Sequence, residues 1–355
     1  FAGRFYQGFD NRMSIAAKHI QTIQHKPRLG FVGLGWIGRN RLESIVQAEV
    51  AEIAAVHDVQ PGCAAEGLKL SPHATLFSSF DELLRDDLDG VVIATPNRFH
   101  AEQAVAALQQ GIAVFCQKPL GRNAFETRRI VETAREADCL LGVDLSYGAI
   151  PAMQTINKLV TSGALGKIFA VDAKFHNGYG PDKMWFYDYS MSGGGCVLDL
   201  GVHLLDLALR PLGFSHISRV QSSLFSGGDL LQKGAQQVED YAVATIETAG
   251  DTVINLSCCW NLQIGREAEI SVAFYGTQGG AALRNVGGSF YDFVAERFNH
   301  TETDTLTKAE DSNWQWGGLA TLDWVKRVAA EERFDPDNEQ FVTVAEVIDK
   351  IYGRG

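Results

Sequence analysis

The stretch that most limits what this chain can become runs from Arg28 to Asp58. A short apolar run, Leu29-Gly30-Phe31-Val32, leads into Gly33-Leu34-Gly35-Trp36-Ile37-Gly38. A helical pattern follows from Ile37 to about Ala48, and a second apolar run, Ile53 to Val56, ends at His57-Asp58. Strand, G-x-G-x-x-G, helix, strand and acid, with Asp58 20 residues after Gly38, is the context a dinucleotide fingerprint requires. Each part has a mechanical reason. Gly33 permits the tight turn, Gly35 lets a pyrophosphate approach the backbone, and Gly38 lets the helix pack closely on the strand. The helix N-terminus, opened by Trp36 and Ile37, offers N–H groups to the phosphates. Asp58 can accept both hydroxyls of the adenosine ribose and would repel a 2′-phosphate, so the expected cofactor is NAD rather than NADP.

The alternation continues beyond Asp58. Strand patterns at Gly90–Ala94, Ile112–Cys116 and Leu140–Leu145 are separated by helical ones at Asp81–Arg85, Arg98–Gln110 and Asn123–Ala137. Strands alternating with helices of this length predict a parallel, doubly wound sheet, whose ligands sit beyond the carboxyl ends of the strands. Thr95-Pro96-Asn97, with His100 three residues on, and Gln117-Lys118-Pro119 fall at that edge. Lys118 closes an apolar strand and precedes a proline that holds the chain extended. His100 either reaches the cofactor ribose or only opens a helix.

A chain of 355 residues is long enough for two domains. Residues 1–27 read as an N-terminal extension without a signal-peptide pattern, 28–148 as the dinucleotide-binding Rossmann domain, 149–310 as an α+β domain, and 311–355 as C-terminal helices returning to the first domain. In the second domain, Pro151–Thr161 reads as a helix. Ile168–Phe175, Tyr241–Thr248, Thr252–Trp260 and Glu269–Tyr275 alternate apolar and polar residues. Such strands predict a large, mostly antiparallel open sheet. Its outer face needs cover, and a second copy of the chain, in a homodimer or homotetramer, would provide it.

One stretch of this half carries charge inside an apolar helix pattern. In Gly193–Leu207, Asp199, His203 and Asp206 are spaced to share a helical face, and nearly everything between them is apolar. Buried charges are costly unless they are paired or used. The loop just before is rich in glycine and aromatics, and Tyr179, Trp185 and Tyr187 are suited to walling a polar substrate.

The bulk properties exclude several classes. A net charge of −12 opposes general binding to nucleic acid or an anionic membrane. No run approaches the ~18 apolar residues of a membrane span. The 6 cysteines form no Cys-x-x-Cys pair or zinc-like cluster, so no metal site is expected, and free thiols point to a reducing cytoplasm.

Taken together, Gly33-x-Gly-x-x-Gly38, Ala94-Thr-Pro-Asn97 with His100, Lys118-Pro119, and Ser192-Gly-Gly-Gly195 leading to Asp199-x-Gly201-x-His203-x-x-Asp206 resemble the Gfo/Idh/MocA oxidoreductases. The resemblance spans roughly Arg28 to the C-terminus. It implies Lys118, Asp199 and His203 as the catalytic group and a Rossmann domain followed by an open-sheet domain. Two departures are visible: Gln117 stands where the family usually has glutamate, and Leu145-Ser146-Tyr147 lacks an arginine that many members carry. The expected reaction is hydride transfer between a nicotinamide and a hydroxyl carbon of a sugar, cyclitol or related polyol. His203 would act as base and Lys118 would steady the alkoxide, or the two would exchange these roles, and Asp206 would have a supporting role. Two other readings are an NAD-assisted glycoside-cleaving enzyme and a non-catalytic nucleotide-binding regulator.

Overall fold

A computed structural model describes residues 26–308 and 318–354 of the protein. The first half builds a sheet from β1 (Arg28–Val32), β2 (Glu52–His57), β3 (Thr75–Leu76), β4 (Gly90–Ile93), β5 (Ala113–Cys116) and β6 (Leu141–Val143). Its strand order is β3-β2-β1-β4-β5-β6, all parallel. The order reverses between β1 and β4, which opens the ligand crevice at their carboxyl ends. The connecting helices are α1 (Trp36–Ala48), α2 (Pro61–Leu70), α3 (Phe80–Leu83), α4 (Asn97–Leu108) and α5 (Ala124–Glu136). Their starts follow local chemistry. Pro61 occupies the first turn of α2, Ser79 caps α3 through the Glu82 N–H, and Asn123 caps α5 through the Glu126 N–H. Sequence patterning missed α2 and β3, whose apolar periods are short. Because both faces of this sheet are covered, β1, β2, β4 and β5 are almost wholly apolar and buried.

The second half opens with α6 (Pro151–Thr161) and β7 (Ile168–Asn177). A short α7 (Tyr189–Ser192) and α8 (Val202–Leu209) precede β8 (Ile217–Ser226), β9 (Asp229–Leu230), β10 (Tyr241–Thr248), β11 (Val253–Cys259), β12 (Ala268–Gly276), β13 (Gly279–Asn285), β14 (Phe293–Asn299) and β15 (Glu302–Thr307). These make a 9-stranded sheet in the order β15-β14-β13-β12-β7-β11-β10-β8-β9. All neighbours are antiparallel except β7 and β11, which run parallel at the centre. That pair joins the strand before α8 to one after it. Alternation sets the two faces: in β10, Ala242, Ala244 and Ile246 are buried, while Tyr241, Val243 and Thr245 face outward.

The inner face packs on α6 and α8 in a core that includes Ile156, Leu204, Leu205, Ile246, Leu256 and Phe274. The remaining helices are α9 (Gly318–Ala329) and α10 (Glu339–Tyr352). Trp324 of α9 lies on Phe115 of the parallel sheet, and α10 wedges between α5 and the β8–α8 side of the second half. The expectation of C-terminal helices over 311–355 falls partly outside the described residues, as does most of the extension over 1–27.

The expected uniform helix over Gly193–Leu207 is not what forms. Gly193–Gly195 is non-helical, Val197–Gly201 is a π-helical turn, and only from Val202 is the helix regular. One residue is inserted into the period, and the charged stripe splits accordingly. Among the described residues, Tyr189–Leu212 is the one stretch long and apolar enough to cross a membrane, and 94% of its window is buried in this core.

Candidate active site

The glycine loop sits at the β1–β4 reversal. Gly33 has φ of 85°, and a side chain there would lie 2.5 Å from the Ala94 carbonyl. A Cβ on Gly38 would fall 2.0 Å from the Gly33 oxygen, so α1 rests directly on the turn. Nothing lies within 4 Å of a Cβ built on Gly35, and no side chain caps α1. The backbone there is open to a ligand, with the half-buried Ile37 and exposed Trp36 beside it. Asp58 follows β2 and reaches back: its Oδ2 accepts the Leu34 N–H at 2.6 Å and its Oδ1 the Gln60 N–H at 2.7 Å. The acid therefore braces the turn. These residues fit a dinucleotide: an open backbone, an uncapped helix start and a carboxylate at the far edge.

At the carboxyl ends of β4 and β5 the side chains are more committed than expected. Thr95 Oγ1 donates to Gln103 at 2.6 Å, and Pro96 occupies the N-cap of α4. Asn97 Nδ2 donates to the Ser192 carbonyl at 2.8 Å, tying the first half to α7. The His100 ring is buried, with Nδ1 2.8 Å from the Pro119 oxygen and Nε2 2.7 Å from the Thr95 oxygen. It ties the Lys118–Pro119 segment to Thr95. Burial pulls its pKa down, opposed by the two carbonyls. The buried Gln117 amide donates to Asp144.

Lys118 crosses from the first half to the second. Its Nζ lies 2.5 Å from Asp199 Oδ1 and 2.9 Å from the Asp199 carbonyl. The other carboxylate oxygen, Oδ2, accepts the indole N–H of Trp260 at 2.9 Å. Lys118 and Asp199 side chains keep 19% and 16% exposure, enough to meet a small molecule. His203, a turn further on, is buried edge-to-face against Tyr147, ring centroids 5.0 Å apart. Burial, then the charges of Lys118 and Arg41, hold its pKa well below the ordinary histidine value, so the ring is neutral at neutral pH. Asp206 is elsewhere: it pairs with Arg210 at 2.5 Å, while burial raises its pKa.

Glu239, invisible as a site residue in the sequence, anchors this segment. Its fully buried carboxylate accepts from Gly195 N–H at 2.9 Å, Val197 N–H at 2.8 Å and Tyr352 hydroxyl at 2.8 Å. A Cβ on Gly195 would fall 1.8 Å from the Glu239 carbonyl, which explains the glycine. The π turn is thus capped from the loop before β10 and from α10 together. Trp260, at the end of β11, read in the sequence only as an inward strand position; its single N–H becomes functional only through Asp199.

The aromatic loop divides. Tyr187 packs on Trp260 at 5.7 Å, its hydroxyl donating to the Pro181 carbonyl at 3.0 Å. Trp185 stacks on Phe186 at 3.9 Å, and Tyr179, half exposed, leans on Phe290 at 6.1 Å. Of the three, Tyr187 is tied most closely to the Asp199 carboxylate, whose charge raises its pKa after burial. No group of three or more His, Cys, Asp or Glu suited to a metal occurs among the described residues.

Comparison with known proteins identifies the family. Residues 27–145 match the family model described as an oxidoreductase family with an NAD-binding Rossmann fold, and residues 153–282 match the GFO/IDH/MocA C-terminal domain. The chain is 30% identical over 205 residues to D-glucoside 3-dehydrogenase of Escherichia coli K12, covering 55% of this chain and 58% of that protein. It thus spans under two thirds of that relative. It is also 30% identical over 233 residues to D-xylose 1-dehydrogenase (NADP(+)) 2 of Haloferax volcanii, covering 63% of this chain and 69% of that one. The solved levoglucosan dehydrogenase, in complex with NADH and levoglucosan, shares the fold with a TM-score of 0.79 at 21% identity, over 93% of this chain and 97% of that one.

Proposed function

The chain belongs to the GFO/IDH/MocA oxidoreductase family, and on that premise we propose that it transfers hydride between a nicotinamide and a hydroxyl carbon of a sugar, cyclitol or related polyol. The observation that carries the proposal is the Lys118–Asp199 contact at 2.5 Å, which joins the ligand edge of the parallel sheet to the segment bearing His203. The glycine loop with Trp36 and Ile37 and the Asp58 edge would hold the dinucleotide. When bound, it supplies the hydride acceptor or donor.

The side chains supply the proton chemistry and orientation. Lys118, held by Asp199, donates a hydrogen bond to the reacting oxygen and steadies alkoxide charge. His203, kept neutral, takes the hydroxyl proton on a nitrogen. Asp199, with Lys118 and Trp260 on separate oxygens, retains lone pairs for a neighbouring substrate hydroxyl. Tyr187 walls this space, with Trp185 and Tyr179 further out. Asp58 favours NAD, because a 2′-phosphate would meet its charge.

The outer face of the large sheet is concave, about 740 Å³, and lined by residues such as Asp172, Lys174, Asn255, Ser257, Tyr275 and Arg284. Its polar, two-sign lining supports closure by a second copy, giving a homodimer or homotetramer. The free cysteines support residence in a reducing cytoplasm.

The test is a panel of methyl glucosides, levoglucosan, xylose and myo-inositol, assayed with NAD and with NADP at alkaline pH by absorbance at the reduced nicotinamide band. NAD-linked oxidation of at least one is expected. Free reducing sugar released without net NADH would replace this reading with glycoside cleavage. Equal use of NADP would remove the Asp58 argument.

A further inference from the structure

Beneath the proposed reaction centre lies an ion pair that the proton chemistry above does not use. Arg41 of α1 and Asp144, just after β6, are 1% and 0% exposed, with Nε 2.5 Å from Oδ2. Asp144 also accepts from Gln117 Nε2 on the same oxygen and from Ser146 Oγ at 2.8 Å on the other. The guanidinium extends to Asn40 Oδ1 at 2.6 Å and to Ser146 Oγ at 3.5 Å. A buried pair of this kind adds little net stability compared with apolar packing, because desolvation offsets most of its attraction. Its place in the fold suggests another use.

Three observations converge on the reaction centre. Gln117 is the residue before Lys118, so the pair fixes the backbone from which the lysine extends. Ser146 is the residue before Tyr147, whose ring packs edge-on against His203. Arg41 itself lies within electrostatic reach of His203. The three segments are α1, the end of β5 and the end of β6, all on the crevice side of the parallel sheet.

Resting on the hydride-transfer reading, we propose that Arg41 and Asp144 are positioning residues that set Lys118 and His203 against each other through Gln117 and through Ser146–Tyr147. They touch no substrate. Their effect therefore falls on turnover more than on cofactor affinity, because a displacement of about 1 Å at the reacting groups costs roughly 100-fold in rate.

The experiment compares two paired variants with the unmutated chain, using NADH fluorescence titration, thermal unfolding, and kcat and KM on the best substrate of the polyol panel. Arg41→Met/Asp144→Asn removes both charges, so no unpaired charge is left buried. It is expected to fold, to bind NADH within about 3-fold of the unmutated chain, and to lose at least ~10-fold in kcat with little change in KM. Gln117→Glu/Asp144→Asn moves the carboxylate across the hydrogen bond that joins these two side chains and keeps the net charge of the buried cluster unchanged. It is expected to recover kcat to within about 5-fold. The charge-free variant keeping kcat within 3-fold would overturn the proposal and leave the pair purely structural. So would a folded carboxylate-moved variant as slow as the charge-free one. If the charge-free variant does not fold, the carboxylate-moved variant alone decides. No NAD-linked oxidation by the unmutated chain would be a failure of the hydride-transfer reading instead.

Discussion

In the glycine loop every critical residue lies between Gly33 and Asp58, whereas the residues around Asp199 come from positions 118, 199, 203, 239 and 260. The two regions also differ in what holds them. The loop is shaped by missing side chains: Gly33 and Gly38 have no room for a Cβ. The Asp199 segment is shaped by polar side chains, each supplying the hydrogen bond another lacks. Steric exclusion is local and legible in a motif. Polar satisfaction is a property of the assembled interior.

That contrast can be broken by mutation. The largest effect is expected at Lys118. Lys118→Ala leaves Asp199 with only its Trp260 donor and removes the alkoxide partner; kcat should fall by about 10³-fold, while NADH affinity by fluorescence titration stays within a few-fold. Survival of turnover within a few-fold would sink the role given to the lysine. At Gly38, an alanine meets backbone rather than a movable side chain. Gly38→Ala should destabilise by about 1–3 kcal/mol in urea unfolding and abolish measurable dinucleotide binding. Unchanged binding would show that the loop accommodates a side chain for which its backbone leaves no room.

Asp58→Ala removes both a ribose acceptor and the brace on the Leu34 N–H. NAD affinity should drop about 10-fold, with NADP discrimination relaxed and stability lower by about 1 kcal/mol. Loss of NAD affinity without any loss of stability would mean that the carboxylate leaves Leu34 when it meets the ribose. A smaller effect is expected from Trp260→Phe, which keeps the ring and deletes one N–H. A fall of roughly 3- to 10-fold in kcat, with KM for NAD unchanged, is the outcome if the indole orients Asp199.

A pH series sharpens the same comparison. Burial, Lys118 and Arg41 lower the His203 pKa, so the base stays neutral as pH falls past about 6.5. The acid limb of kcat/KM assigned to this ring, by its loss in His203→Gln, should therefore lie below 6.5. A limb at or above 6.5 would contradict the assignment. The linkage has a definite sign. His203 and His100 bind protons more readily unfolded than folded, so their contribution to stability is complete above the unfolded value and is lost as pH falls below it. Thermal unfolding between pH 7 and 5 measures that loss.

Much of the parallel sheet was readable because each strand is an apolar run and each helix repeats with its own period; only α2 and β3 escaped, being short and weakly patterned. In the second sheet, β8, β13 and β15 escaped because their alternation is diluted by serine, glycine and threonine, and β14 because the adjacent Glu296 and Arg297 break its period. Asp199 and His203 stood out as ionisable residues inside an apolar helix pattern, and Lys118 was joined to them through the family resemblance. The hydrogen-bond partners of His100 and Gln117 were not legible, because a motif gives position along the chain but not the direction of a side chain.

The sequence alone determined the doubly wound half, the dinucleotide loop and the identity of the ionisable residues, since these follow from backbone sterics and apolar periodicity within a few dozen residues. Tertiary structure alone decided how the charged stripe divides. The π turn at Val197–Gly201, held by Glu239 from the loop before β10 and Tyr352 from α10, sends Asp199 to Lys118 and Trp260, His203 to Tyr147, and Asp206 to Arg210. No local rule gives that outcome, because a buried polar group takes whichever partner the packed chain brings within hydrogen-bonding distance.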